Sequence, residues 1–421
     1  MGFLSGAAII HNGEDCMPIA FVDGRVVVGN GKVLERASVL VEGDRIAKVA
    51  ARNFKIPKGC PRISLNGGTL LPGFIDAHVH LCLDGSPDPM TAFLNTSLAV
   101  SILKAANFAR ETLMAGVTTI RDMGAKDGID LGLRQAIRTG LVPGPRMLAS
   151  GQPICMTGGH GWQLGREANG PEEVRKAARE QIKAGADIVK LMATGGVLTP
   201  AVEPGSEQLT EAELRAGVEE AHKAGKKTAT HAMGTKGILN ALRAGIDSIE
   251  HGVYLDDEAV RLMKKRGVLL IPTLAALFQI ESKGVKAGIP AFAVEKTLKV
   301  KPFHLESICL ARQAGVAVAM GTDAGTPFNL HGENLQELQL LVQHCGFSPL
   351  EAIEAGTRVS AQVLGLEKEL GTIEEGKFAD LVVVDGDPLD DINILLQRTS
   401  IRLVVHSGRI VNPNPNKEEA G

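Results

Sequence analysis

Leu71-Pro72-Gly73-Phe74-Ile75-Asp76-Ala77-His78-Val79-His80-Leu81 places two imidazoles on one short apolar run. If the run is a strand, side-chain alternation sends His78 and His80 to the same side, and two neutral imidazoles converging there form a metal-ligand pair. Alone, the pair also has a bland reading, because histidines near strand ends often serve packing or lie at the surface. Its weight comes from recurrence further along the chain.

The same form returns four times: an apolar run that ends on a ligand-type residue and opens into glycine or small residues. Ala186-Asp187-Ile188-Val189-Lys190 leads into Ala193-Thr194-Gly195-Gly196, and Lys227-Thr228-Ala229-Thr230-His231 into Ala232-Met233-Gly234. Ser248-Ile249-Glu250-His251 leads into Gly252, and Val316-Ala317-Val318-Ala319-Met320-Gly321-Thr322-Asp323 into Ala324-Gly325. Short apolar runs alternating with longer helical stretches read as βα units of a parallel sheet, whose chemistry sits at the carboxyl ends of the strands. His78, His80, Lys190, His231, His251 and Asp323 are therefore read as one site.

Helical patterns are plain at Pro171–Ala184 and Thr210–His222. The first starts with proline after a glycine, and the second pairs Thr210 with Glu213 as a capping box. Both are followed by glycine and a strand candidate, so residues 72–366 are expected to form a (β/α)8 TIM-type barrel, an α/β fold. A doubly wound sheet would need a glycine-rich fingerprint, and Gly158-Gly159 lacks the GxGxxG or Walker spacing. Residues 1–71 and 367–412 give short β-rich pieces around turns, neither apolar enough to fold alone, and are expected to join as one small β-sandwich. Residues 413–421 read as a flexible tail.

Composition bounds the partners. The chain has 421 residues, 44% hydrophobic and 22% charged, with net charge −3 and only 3% aromatics. Neither a phosphate-tracking basic surface nor base-stacking platforms are implied, so nucleic acid is not expected as a partner. Six scattered cysteines (Cys16, Cys60, Cys82, Cys155, Cys309, Cys345) fit reduced thiols; catalytic use of Cys82 or Cys155 is the weaker reading. The start of the chain lacks the basic region of a signal peptide and no apolar run approaches a membrane span, so a cytoplasmic protein with no membrane partner is expected.

The collected residues constrain the chemistry. Two divalent metals about 3.5 Å apart can hold a bridging hydroxide and polarise a carbonyl. His78 and His80 can serve one metal and His231 and His251 the other, with Asp323 a ligand of the first. An ammonium ion beside two cations would be expelled, so Lys190 fits only uncharged, for example as a carbamate whose two oxygens bridge the pair. The bland alternative for Lys190 is a solvent-facing or salt-bridged lysine.

These motifs, with Gly73–His80, Gly321-Thr322-Asp323-Ala324-Gly325 and Gly371-Thr372-Ile373-Glu374-Glu375-Gly376-Lys377-Phe378-Ala379-Asp380-Leu381, resemble the metal-dependent amidohydrolase superfamily over nearly the whole chain. The likeness is to its prolidase-like and imidazolonepropionase-like subgroup, which includes dipeptidases and N-acyl-amino-acid hydrolases. The resemblance implies His78 and His80 on the α-metal, Lys190 as the N6-carboxylated bridge, His231 and His251 on the β-metal, and Asp323 as the catalytic carboxylate. It further implies zinc as the favoured metal, a homo-oligomer, and a small-molecule substrate bearing a free carboxylate. Asp323 would take the proton as the bridging hydroxide attacks the amide carbon and pass it to the leaving nitrogen.

Second-tier candidates follow. His160, in the glycine-rich Thr157–Gly161 loop, sits where similar enzymes touch the substrate carbonyl or carboxylate, with a simple loop histidine as the alternative. Tyr254, the chain's one tyrosine, follows His251-Gly252-Val253; holding a substrate carboxylate or steadying the oxyanion stands level with a structural phenol. Arg121-Asp122 reads as an internal ion pair or as support for the first histidine pair. Met156, Trp162, Leu164, Val197, Leu198, Leu274 and Phe278 suit an apolar substrate but equally an ordinary barrel mouth. Dipeptides or N-acyl amino acids, ochratoxin-type N-acyl-phenylalanine included, are the favoured substrates. Cyclic-amide (imidazolonepropionase-like) hydrolysis is the alternative within enzymes, and a catalytically silent barrel binding protein the alternative outside them.

Overall fold

The computed structural model describes residues 18–51 and 54–413. The expected tail beyond Pro413 lies outside them, as does Cys16.

Parallel strands Phe74–Val79, Val117–Asp122 and Arg146–Ala149 form one three-stranded sheet. Strands Ile188–Met192, Lys227–Ala232, Ser248–His251 and Leu269–Ile271 follow in chain order within a six-stranded sheet, whose other members are Ile154–Cys155 and Arg166–Glu167. Backbone contacts join the two sheets at both seams. Asp187 N–H donates to Ala149 O at 2.8 Å on one side. On the other, the segment holding Asp323 pairs in parallel with both neighbours, Val318 with Leu270 and Ala324 with Val79. The strands thus run in the order of a TIM-type barrel, with isolated bridges at the seams where an unbroken ladder would mark full closure.

Every residue of Phe74–Val79, Val117–Asp122 and Ile188–Met192 is buried, as expected of strands covered on both faces. Helices Pro171–Ala184 and Glu211–Lys223 fall where their patterns predict. Thr210 and Glu213 form the capping box, Thr210 N–H donating to Glu213 Oε2 at 2.8 Å, which stabilises the helix start by about 1 kcal/mol. Each helix returns the chain so that the next strand runs parallel, and the ligand-type residues all arrive at one end.

The chain ends form a single eight-stranded sheet. Thr69–Pro72 joins the halves by pairing with Leu381–Val384, Leu71 opposite Val382. Register shifts between Phe21 and Val26 bend the Ile19–Val27 strand, so that Ala20–Val22 pair with Arg62–Ser64 while Arg25 and Val26 pair with Thr69 and Leu70. The edge strand Arg45–Ala50 then meets the 376–379 segment, Ala379 N–H donating to Asp44 O at 2.8 Å. Phe21, Val39, Leu70, Val383 and Val405, from distant strands, pack in one fully buried cluster. The two layers of the expected sandwich are therefore one sheet curled around its own core.

Candidate metal centre

His78 and His251 Nε or Nδ atoms and an Asp323 oxygen lie within 4.8 Å of one another. The His78 ring is 5.4 Å from that of His80 and 5.2 Å from that of His251, and His231 lies 4.5 Å from His251. His78 Nε2 and His80 Nε2 stand 3.3 and 3.4 Å from Asp323 Oδ1. Lys190 lines the same cavity, and His160 joins the group with its ring 4.2 Å from that of His231. Six residues, from the ends of four strands and from the segment holding Asp323, are thus brought together, with His160 from a loop. Tyr254 is not: it lines an adjoining cavity with Thr235 and Phe303, its ring 5.3 Å from Phe303.

Acceptors behind the rings fix where each imidazole carries its proton. His80 Nδ1 faces Gly124 O at 3.0 Å and His231 Nε2 faces Gly195 O at 3.1 Å. A carbonyl only accepts, so these nitrogens bear the hydrogen and His80 Nε2 and His231 Nδ1 hold lone pairs. His78 Nδ1 meets the Glu250 carboxylate at 2.8 Å. The Thr273 hydroxyl donates to Pro272 O at 2.6 Å and so accepts from His251 Nδ1 at 2.7 Å, leaving His251 Nε2 as the lone-pair nitrogen. Burial lowers His80 to about 4, and lowers His231 and His251 well below the usual range, with neighbouring positive groups adding to it. Neutral imidazoles with one committed hydrogen are the ligand form of histidine.

The donor set fits a cation. At neutral pH the His80 lone pair and the Asp323 carboxylate are two acceptors facing each other, an arrangement that repels unless positive charge lies with them. Burial pushes Asp323 up, yet His78, His80 and Lys190 together hold it well below the ordinary carboxylate range. Lys190 is 2% exposed and its Nζ has no hydrogen bond among the described residues. Burial lowers it to about 8, against the pull of Glu250 and Asp323. An unpartnered buried amine poised to lose its proton is the form that reacts with carbon dioxide.

Glu250 is the residue that sequence reasoning missed. Fully buried, it takes Arg121 at 2.7 Å, Ser248 at 2.7 Å and His78 at 2.8 Å. Burial raises its pKa, but Arg121 and His78 outweigh it and bring it down to about 2. Both readings of Arg121 hold at once, since the internal ion pair is also what anchors the carboxylate behind His78. Alternation from an inward His251 would have sent Glu250 outward; both reach the site because His251 leaves strand geometry at φ 71° while Ser248 and Glu250 share one face. Among the apolar candidates, Leu164, Val197 and Leu198 line the cavity. Leu274 is core, Phe278 packs on His344 and Trp162 is 42% exposed. His222 and His406 are occupied by Asp247 and Asp380.

Neutral imidazoles, a depressed carboxylate and a buried lysine of lowered pKa at the carboxyl ends of parallel strands belong to the hydrolases that work through divalent metals on a TIM-type barrel. The chain matches the model of the Amidohydrolase family over residues 69–411 and belongs to that family. It is 31% identical to ochratoxinase of Aspergillus niger over 96% of this chain and 88% of that protein. The crystal structure of a prolidase complexed with N-methylphosphonate-L-proline superposes with a TM-score of 0.88 at 32% identity, covering 94% of this chain and all of the other. More distant is imidazolonepropionase of Thermoplasma acidophilum, 23% identical over 90% of each chain. The chain is a hydrolase acting on C–N bonds.

Proposed function

We propose that the protein hydrolyses the amide bond of dipeptides or N-acyl amino acids that carry apolar groups on both sides of the scissile bond. The observation that carries this reading is Asp323 standing between two apolar compartments. One is walled by Val197, Met233, Leu277 and Ile280, the other by Leu83, Met90, Leu164 and Met192. Relatives named for ochratoxin and prolidase activity support an acylated amino acid as substrate, and ochratoxin-type N-acyl-phenylalanine fits within that class. Cyclic-amide hydrolysis is the poorer reading, because the relatives so named are more distant.

His78, His80 and Asp323 would hold one metal and His231 and His251 the other, with Lys190, carboxylated at Nζ, shared between them; zinc suits this nitrogen and oxygen set. Bound there, divalent ions supply a water already deprotonated at neutral pH and positive charge for the oxyanion. Asp323 Oδ takes the proton released in the attack and returns it to the leaving nitrogen, a role open to it because its low pKa keeps it ionised beforehand. His160, held by Thr199 Oγ1 at 2.9 Å and lowered by burial to about 3, is a neutral hydrogen-bonding group for the substrate carbonyl. Tyr254, which lines a different cavity with Thr235 and Phe303, is assigned no step.

The same reading includes a closed (β/α)8 ring over residues 72–366, supported by contacts at both seams, with the single curled sheet of the two chain ends as a separate small domain. It also includes a homo-oligomer, supported by Leu98, Ile102 and Leu103 exposed along one helix. The five described cysteines, all free, fit a reducing cytoplasm. No described helix is long and apolar enough to cross a membrane. The test is turnover of N-acyl-phenylalanine, Xaa-Pro, Xaa-Phe, Xaa-Arg and cyclic-amide substrates by protein of measured metal content. Hydrolysis confined to cyclic amides or to Xaa-Arg would overturn the reading.

A further inference from the structure

Thr273 sits in the left-handed region, φ 57° and ψ 44°, a conformation that is a genuine outlier for a β-branched residue and persists only where its surroundings impose it. The imposing group is Glu337. Immediately after Thr273, Leu274 N–H and Ala275 N–H each donate to Glu337, at 2.8 Å to Oε1 and 2.8 Å to Oε2. Glu337 is 0% exposed and lies at the start of helix Gln336–Cys345, far along the chain from the strand it holds. The bland reading makes it a cap for helix Leu274–Lys283, whose first amides would otherwise be unpaired.

A cap alone does not require the left-handed turn. Helices commonly begin from an extended residue whose own side chain accepts from the first turn, as Thr210 does here. Thr273 has no such bond to its helix. Its hydroxyl is directed backwards, donating to Pro272 O at 2.6 Å and accepting from His251 Nδ1 at 2.7 Å. That acceptance sets the hydrogen of His251 on Nδ1 and leaves Nε2 the lone pair. His251 is itself left-handed, φ 71°, so its ring is aimed by this contact as well as by its own strand.

We infer that Glu337 is a positioning residue for the metal centre: by clamping the two amides after Thr273 it holds that residue left-handed, and the hydroxyl so aimed fixes the tautomer and orientation of His251. This rests on the reading of His251 as a metal ligand, and it adds a buried acidic side chain that touches neither metal nor substrate. Removing either member is expected to loosen the same histidine, so the effects of the two should not add.

The experiment has two readouts. The first is the ring-nitrogen NMR signal of His251 in metal-stripped full-length protein labelled with 15N-histidine. The expected wild-type result is the Nδ1–H tautomer, replaced by a mixture in Thr273→Val and in Glu337→Gln. The second is binding of added zinc ions. The two variants should bind the second equivalent 10–100-fold more weakly, the range for lost partners of metal-bound histidines. Thr273→Ser, which keeps the hydroxyl, should restore it, and the Thr273→Val/Glu337→Gln double variant should be no weaker than the worse single one. A cap without positioning lowers the unfolding temperature of Glu337→Gln while leaving tautomer and zinc affinity at wild-type values, and that result overturns the inference. Should Glu337→Gln fail to fold, Thr273→Val decides alone, by the same two readouts. Wild-type protein that shows the Nδ1–H tautomer yet binds no zinc would instead sink the metal-centre reading, a failure seen without any variant.

Discussion

The mouth of the barrel and the core of the curled β-sheet are equally buried and built to opposite rules. Phe21, Val39, Leu70, Val383 and Val405 bring only hydrocarbon into the sheet's interior, where each contact lowers the free energy of the folded state. Around Asp323, the chain buries a carboxylate, an amine and neutral imidazoles. It also holds three non-glycine residues, His251, Thr273 and Asp323, at positive φ of 71°, 57° and 60°. Such features cost stability wherever they occur. The charged and polar groups buried together at one end of the barrel mark where the fold gives up stability for chemistry.

The sharpest way to break that contrast is Asp323→Asn. If Asp323 moves the proton, kcat for N-acyl-phenylalanine hydrolysis falls by roughly 10²–10⁴-fold, while the unfolding temperature of the metal-stripped protein stays level or rises. Steady-state kinetics beside thermal denaturation checks both, and a variant with near-normal kcat would remove Asp323 from the mechanism. Phe21→Ala is the mirror case. A Phe fully buried in the sheet core loses about 3–5 kcal/mol on truncation, read by denaturant unfolding, with kcat per folded molecule unchanged.

Glu250→Gln sharpens the comparison because it belongs to both regimes. Its carboxylate orients His78, so metal affinity should fall. It also neutralises Arg121, which is 2% exposed and would be left charged and unpaired, at a cost of about 3 kcal/mol or more. Zinc titration and chemical denaturation on the same sample separate the two effects. Loss of affinity with unchanged stability would mean that Ala77 O and Ser248, its other partners, suffice for Arg121.

Legibility followed the same divide. His78 and His80, His231, His251, Lys190 and Asp323 were readable because a parallel strand buried on both faces leaves its carboxyl end as the natural exit for polar side chains, and the apolar runs point to those ends. Glu250 was not, because an acidic residue inside a four-residue strand is ordinarily read as solvent-facing; only the Arg121 side chain arriving from another strand makes its burial tolerable. Glu337 was hidden for a similar reason, its partners being backbone amides of a segment some sixty residues earlier that carry no mark in the sequence. In the β-domain, the strands were legible as alternating runs, but their union into one curled sheet depends on the register shifts within Ile19–Val27. Those arise from how the partners pair, not from residue type. Tyr254 was singled out for standing next to a ligand, and proximity in sequence did not carry it into the same cavity.

The smallest expected effect lies on the boundary between the two regions. Asp380, near the start of the sheet's Leu381–Val384 strand, receives the Arg146 guanidinium from a barrel strand, His406 Nδ1 at 3.2 Å and Ser407 N–H at 2.7 Å. Burial pushes its pKa up, but His406 and Arg146 more than offset this and bring it down to about 2 from an ordinary 3.8. A carboxylate whose folded pKa is depressed stabilises the protein above its unfolded pKa, and that stabilisation drains away as pH falls through the folded value. The contribution is therefore complete above about pH 5 and is lost between there and about pH 2, amounting to about 2 kcal/mol. Denaturant unfolding of wild type and Asp380→Asn along that range should give curves that converge on acidification, with the gap set above pH 5. A gap that stays constant to pH 2 would show that Asp380 joins sheet to barrel by its hydrogen bonds alone, and that its charge contributes nothing to holding the two regions together.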